Sequence, residues 1–375
     1  MEKCIGIINS GVKNSTYGSL AETRPDYMLP YAGRYRIIDF ALSTMTFHNI
    51  SNVVVYGGKH IRSTLDHLGI GQPWELNRRR NGLVVFPPVY DSELVVPTDI
   101  ASYYKTLPFF EYSSLNNIYL DDPMTITKMK IDDAYDMFLE QDLDVLFFYK
   151  KQKDTEGKYI NARKLIIDPE GKLINIGQNL GTQDEFDLYL GKLFIKKDVF
   201  INLVKEAVEK ANASTIRQAI INNKDKLKIG TYGVDGHVEV IRDLTSYYEA
   251  NMNLLNKDIY HELFYDKHLI FTKSKDEPST LYKESSRVKN SLIANGCIIE
   301  GQVENSILFR GVKVGANTIV RNSIIIQKTQ IGNDSVVVNV ISDKYGCVED
   351  EVTVVGNAKQ PYVIKKGLTI RKVEE

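Results

Sequence analysis

The sequence predicts an α/β protein in which a mostly parallel sheet, covered by helices, is followed by a parallel β-helix. Two observations carry this reading. The first two thirds of the chain alternate short continuous apolar runs with helical patterns, as expected of strands buried on both faces. From about Ser286, aliphatic residues recur every six positions: Leu308, Val314, Val320 and Ile326, and, offset by one, Ile319, Ile325, Ile331 and Val337. A period of six fits neither a helix nor a hairpin. It fits a stacked coil in which each side contributes one inward aliphatic residue. A plain antiparallel sheet is the alternative, but recurrent Gly and Asn at turn positions favour the coil. The offset between the two registers predicts an irregular one.

The elements follow in order. Ile5 to Ile8 is an opening strand that runs into a loop. Asn52 to Tyr56 is a second strand, ended by Gly57 and Gly58. A helix over Ile131 to Gln141 precedes a third strand, Asp144 to Tyr149. Leu165 to Ile174 reads as a hairpin, because Asp168-Pro169-Glu170-Gly171 supplies turn residues between aliphatic runs. Lys197 to Asn212 reads as a helix. Lys273 to Ser279 is polar and contains Pro278, which marks a linker.

Composition narrows the function classes. A length of 375 residues suggests two domains, or one large domain with an appendage. Apolar residues at 43% and charged residues at 25% exclude bulk disorder. The 47 Lys+Arg against 48 Asp+Glu leave no global basic field for nucleic acid or an anionic membrane. No run approaches the roughly 18–20 apolar residues of a membrane span, and the apolar part of Met1 to Ile8 is too short for a secretion signal. Cys4, Cys297 and Cys347 are odd in number and unpaired in spacing. That fits a reducing cytoplasm and argues against a zinc site or a disulfide framework. His60 and His67 share a helix face, but no carboxylate or cysteine completes a metal site there.

The segment from Arg24 to Ser43, RPDYMLPYAGRYRIIDFALS, is long and distinctive. It resembles the N-terminal signature of the ADP-glucose pyrophosphorylases (glucose-1-phosphate adenylyltransferases). So do Asp66-His67-Leu68-Gly69 with Gly71 and Trp74, the stretch Tyr247 to Leu255, and the coil segment Ile299 to Val312. The resemblance covers nearly the whole chain. It implies a Rossmann-like nucleotidyltransferase domain over residues 1–256, a linker over 257–285, and a left-handed β-helix of hexapeptide repeats over 286–375. Active members of that family join ATP and glucose 1-phosphate into ADP-glucose and pyrophosphate with magnesium, in glycogen synthesis.

Such chemistry has physical requirements: glycines that let backbone N–H groups approach a triphosphate, cations on the developing charge, and carboxylates for magnesium. The family's Gly-Gly-x-Gly-x-Arg-Leu loop is matched here by Asn9 to Tyr17. Only Gly11 survives of its three glycines, and Thr16 stands for the arginine. Val12 suits neither positive φ nor close ligand approach. The family's phosphate-facing lysine is replaced by Asp26, a reversal of charge. Met124 stands in place of the metal-binding aspartate, a thioether where magnesium wants oxygen, with Asp121 and Asp122 just upstream. Thr245 stands for the second metal carboxylate, with Asp243 two residues earlier. Asn175 to Asn179 replaces the Glu-Lys-Pro sugar-phosphate motif. The chain therefore resembles the non-catalytic, GlgD-type branch of the family. That branch implies a GlgC-type catalytic subunit as partner in a heterotetramer, with magnesium held by the partner and no metal or other cofactor in this chain. It also implies a regulatory role in response to a sugar-phosphate or nucleotide effector. A homo-oligomer of this chain alone is left open, because a short β-helix has ends and edges that benefit from cover. The alternative is a weakly active sugar nucleotidyltransferase that uses Asp121 or Asp122 with Asp243. Acyl transfer on the coil is disfavoured, because the last histidine, His268, precedes the repeats.

Candidate residues follow from the resemblance and from position. Arg34, Arg36 and Lys344 match basic positions of the family's effector pocket, and guanidinium pairs suit sugar phosphates; salt bridging to Asp39 is the plain alternative. Lys59, His60 and Arg62 follow a strand end, where such sheets bind ligands, or else form a solvated helix start. The run Arg78-Arg79-Arg80 reads the same two ways. Gly11, Asp99 and Gly191 mark a vestigial nucleotide and sugar pocket. Asp99 otherwise caps a helix, and Gly191 otherwise serves close strand packing.

Overall fold

The computed structural model describes residues 1, 3–9, 15–58, 60–88, 98–266 and 268–372. The chain divides into two compact units that alternate along the sequence. The first takes Met1–Val12, Ala41–Ile61 and Leu68–Val238. The second takes Lys13–Phe40, Arg62–His67 and Glu239–Glu375.

The first unit is built on a sheet whose central strand, Cys4–Ile8, is buried at every residue. It pairs in parallel with Asn52–Tyr56 on one side and Asn117–Asp121 on the other. Leu83–Phe86 extends the first side, also in parallel. These apolar runs carry no alternation, as expected of strands covered on both faces. The other half of the sheet differs. Glu185–Lys196 runs antiparallel to Asn117–Asp121 and to Val145–Lys153, and Ile229–Gly233 lies parallel to the latter. The sheet is thus mixed. The expected hairpin is present, Arg163–Ile167 with Leu173–Gln178. The Asp168 carboxylate accepts the N–H of Glu170 and of Lys172 at its turn. Helices Asp99–Lys105, Leu107–Glu111, Lys197–Lys210 and Ile216–Asn222 bury Tyr103, Phe110, Phe200, Val204 and Ile220 against Ile7, Val54 and Ile118 of the strands.

The second unit contains the β-helix: three sheets of short strands, each strand pairing in parallel with its counterpart one coil on. The first coil strand is Leu281–Tyr282. The inward aliphatic residues are Val303, Leu308, Val314, Val320, Ile325, Ile331 and Val337. Val320 pairs with Val337 and Val314 with Ile331, so each coil advances in two steps of six residues and one of five. The short step explains the offset registers. At each five-residue corner stands an asparagine with positive φ: Asn305 at 46°, Asn322 at 47° and Asn339 at 54°. Asparagine tolerates this left-handed conformation better than other side chains with a Cβ. Beside that corner a hydroxyl ladder links the coils. Ser306 Oγ accepts the N–H of Ser323, and Ser323 Oγ accepts that of Val340, each at 3.1 Å.

The rest of the second unit holds the segment 24–40 against the helix Leu244–Met252. Tyr247 donates its hydroxyl to the Pro30 carbonyl, and Tyr31 donates to that of Ala250. The Ala32 N–H bonds Asn251 Oδ1 at 3.1 Å. Tyr35 stacks on Phe264, and Phe40 packs edge-on to Tyr31 and Phe264. No helix among the described residues is long and apolar enough to cross a membrane. Cys4, Cys297 and Cys347 are free thiols.

Candidate functional site

A basic cluster forms in the second unit from chain segments far apart in sequence. Arg24 Nη2 donates to both carboxylate oxygens of Asp343, at 2.9 and 2.8 Å. Arg24 and Asp343 are almost fully buried. Arg36, also buried, donates from Nη1 to the Met28 carbonyl. Lys344 follows Asp343 in a turn of the coil, and its N–H bonds Asp343 Oδ1 at 2.7 Å. Two guanidinium groups and the Lys344 amine therefore lie near the Asp343 carboxylate, and Asp39 is a second carboxylate near Arg36. Burial first, and then the neighbouring Arg24, push Arg36 down to about 10. Burial, then Arg36 and Arg24, push Lys344 down to about 6 against the pull of Asp343. Arg24 Nη1 is buried with no hydrogen-bond partner. An unmade bond at a buried guanidinium is costly, and an oxyanion would supply the missing acceptor and the missing charge.

The structure thus brings Arg36 and Lys344 together and adds Arg24. Arg34 is exposed and lies over the Tyr35 ring at 5.4 Å. Its carbonyl accepts from Arg310 Nη2. The expected salt bridge to Asp39 takes another form. The backbone N–H of Arg36 donates to Asp39 Oδ2 at 2.9 Å, and His67 Nε2 meets Oδ1 at 2.6 Å. Arg62 is exposed, with its guanidinium 3.8 Å from Asp66. His60 is partly exposed just before the helix Ile61–Leu68. Arg78, Arg79 and Arg80 are exposed. Lys59 and Gly11 lie outside the described residues.

A second cluster, acidic, lies in the first unit, at the carboxyl end of the strand Asn117–Asp121. The central strand Cys4–Ile8 has parallel neighbours on both sides, an arrangement that leaves a ligand crevice at the strand carboxyl ends. Asp99 opens its helix but does not cap it. Thr98 does, accepting the Ala101 N–H at 3.1 Å. Asp99 Oδ1 instead accepts from Asn9 Nδ2 at 3.3 Å. Asp122 Oδ1 accepts the Met124 N–H at 3.0 Å. Burial, and then the nearness of Asp122, push Asp99 up to about 6, and burial pushes Asp122 up to about 6 as well. Gly191 has φ +72°, and a Cβ there would stand 2.6 Å from the Cβ of Asp122. Both the backbone conformation and the close approach require glycine. Next to it, Lys192 Nζ bonds Asp121 Oδ1, both groups buried.

Residues 278–368 match the family described as "GlmU-like, C-terminal hexapeptide", in accord with the coil. Over 365 residues the chain is 33% identical to "Glycogen biosynthesis protein GlgD" of Bacillus subtilis (strain 168), covering 97% of this chain and 96% of that one. The protein of the same name from Geobacillus stearothermophilus is 34% identical over 368 residues, with the same coverage. "Glucose-1-phosphate adenylyltransferase" of Clostridium beijerinckii is 28% identical over 336 residues, covering 84% of this chain and 83% of that one.

The chain belongs to the GlgD family.

Magnesium, implied for active adenylyltransferases, does not fit the donors of this GlgD chain. Mg²⁺ demands near-octahedral oxygen ligands. Asp121 holds an ammonium, Asp122 serves its own loop, and Met124 offers only a thioether. Asp243 caps the helix Leu244–Met252 in a capping box with Ser246. Among the described residues, no group of three or more His, Cys, Asp or Glu is placed to hold a metal ion. Two residues of consequence escaped sequence reasoning. Arg24 stood inside the signature segment but was not singled out; its partner Asp343 is 319 positions away. Lys192 gave one signal, a lysine within the apolar stretch Leu188 to Ile195.

Proposed function

We propose that this GlgD-family chain is a non-catalytic regulatory subunit acting in glycogen biosynthesis, in the cytoplasm, beside a GlgC-type glucose-1-phosphate adenylyltransferase in a heterotetramer. The observation that carries the non-catalytic reading is the engagement of Asp121, Asp122 and Asp243 in an ion pair, a loop bond and a helix cap. Nucleotidyl transfer needs cations on the polyphosphate and free carboxylates to hold them. Asp26, in place of a phosphate-facing lysine, supports the same reading. The regulatory part rests on Arg24, Arg36 and Lys344. They suit the phosphate of a sugar-phosphate or nucleotide effector, which would offset the two guanidinium charges, favour the protonated form of Lys344 and bond Arg24 Nη1.

The test is ADP-glucose synthesis from ATP, glucose 1-phosphate and magnesium by this chain alone, by the GlgC-type partner alone, and by the co-expressed pair. The expected result is no turnover by this chain, and a pair that differs from the partner in rate or effector response. Turnover by this chain alone at an ordinary enzyme rate, on the order of 1–1000 per second, would refute the proposal.

A further inference from the structure

We propose that Lys192 is a resident substitute for a divalent cation: its ammonium, held on Asp121 at the carboxyl end of the strand Asn117–Asp121, closes the acidic corner of the first unit to metal ions. The proposal deepens the non-catalytic reading and rests on it.

Lys192 and Asp121 are direct cross-strand partners. Their side chains are only 4% and 1% exposed. A lysine so buried in an apolar strand keeps its charge only beside an anion. The other oxygen of Asp121 accepts from the Tyr119 hydroxyl at 3.2 Å, so both oxygens are engaged within the protein. The approach is made possible by an irregularity in the strand Glu185–Lys196. Its register against Val145–Lys153 shifts between Tyr189 and Leu193. Gly191, without a Cβ, lets this stretch close onto Asp122, whose N–H bonds the Gly191 carbonyl at 3.0 Å. Lys192 is thereby delivered to Asp121 at the sheet position nearest the crevice. An ammonium in contact with the carboxylate supplies the positive charge that a metal would bring. A divalent ion entering beside it meets repulsion that the buried setting screens poorly.

Mn²⁺ serves as the probe, followed by its electron paramagnetic resonance signal and by its effect on the melting temperature of the full chain. Wild type, Lys192→Arg and the double variant Asp121→Asn with Lys192→Ala are expected to leave millimolar Mn²⁺ free. Lys192→Ala is expected to melt lower than wild type, to bind Mn²⁺ and to regain part of the lost melting temperature with it. If Lys192→Ala does not fold, Lys192→Gln, which keeps most of the stem and can still bond Asp121, replaces it with the same expected outcome. Mn²⁺ binding by wild type that Asp121→Asn abolishes would overturn the proposal. So would a folded Lys192→Ala or Lys192→Gln that leaves Mn²⁺ free. Turnover and metal binding are separate readouts. A silent chain that binds Mn²⁺ at this corner sinks the role of Lys192 and leaves the regulatory reading standing, whereas a chain active alone sinks both.

Discussion

Lys344 carries a pH dependence whose sign can be worked out. Burial and two guanidinium groups hold it down to about 6, whereas an unfolded lysine titrates near 10.4. Between those values the unfolded chain binds the extra proton, so this residue makes stability rise with pH, by at most about 1.4 kcal/mol per pH unit. Below about 6 both states are protonated and the contribution is flat. Lys344→Met is expected to remove that slope from urea midpoints measured across this range. An anion on the cluster would restore the proton, so affinity should fall as pH rises from about 6 to about 8. Sulfate is a suitable probe because its own charge is constant there. Calorimetry in buffers of different ionisation heat should show proton uptake on binding in wild type and none in Lys344→Met. Binding with equal, pH-independent affinity in both would refute the linkage. The sequence named Arg36 and Lys344 through family resemblance, but not the depressed titration of Lys344. That arises from burial first, and then from Arg36 and Arg24 near it, surroundings that only folding supplies.

Among the elements, the coil was the most legible. Its signal is periodic and local, since each inward aliphatic residue repeats within one coil side. Even the offset in register was visible, though not its cause, which is the five-residue corner. Asn322 sits at that corner with φ 47°. Asn322→Val is expected to cost on the order of 1–3 kcal/mol, because a β-branched residue is strained there. Asn322→Gly should be close to neutral. Chemical denaturation of the two variants checks the contrast, and equal losses would mean that the asparagine side chain, not its backbone, matters. The sheet was legible in part. Continuous apolar runs revealed the strands around Cys4–Ile8, but the same runs carry no information on direction, so the antiparallel course of Glu185–Lys196 went unread. That strand is also where Lys192 lies, which is why the acidic corner was read from its aspartates and not from its cation.

The whole chain does not divide where the composition changes. The compact second unit takes residues 13–40 and 62–67 as well as Glu239–Glu375, and within it Tyr35 and Phe40 pack on Phe264. A fragment of residues 1–256 would lose Phe264 and the Asp343 partner of Arg24. It is expected to bind a hydrophobic dye and to melt without a cooperative transition, whereas the full chain is expected to do neither. A fragment that unfolds as one sharp transition would show that residues 13–40 do not depend on the rest of their unit. What could be read from the chain alone was whatever is written in neighbouring residues: the apolar strands, the turn of the hairpin, the hexads, the signature segment and the family departures at Val12, Asp26, Met124 and Thr245. Those departures pointed to a lost metal site. What filled the gap could not be read, because Lys192 reaches Asp121 across 71 positions and Arg24 reaches Asp343 across 319. Charges brought together over such separations leave no periodic trace. Only the strand register and the winding of the coil bring them into contact, and burial then makes each pair matter.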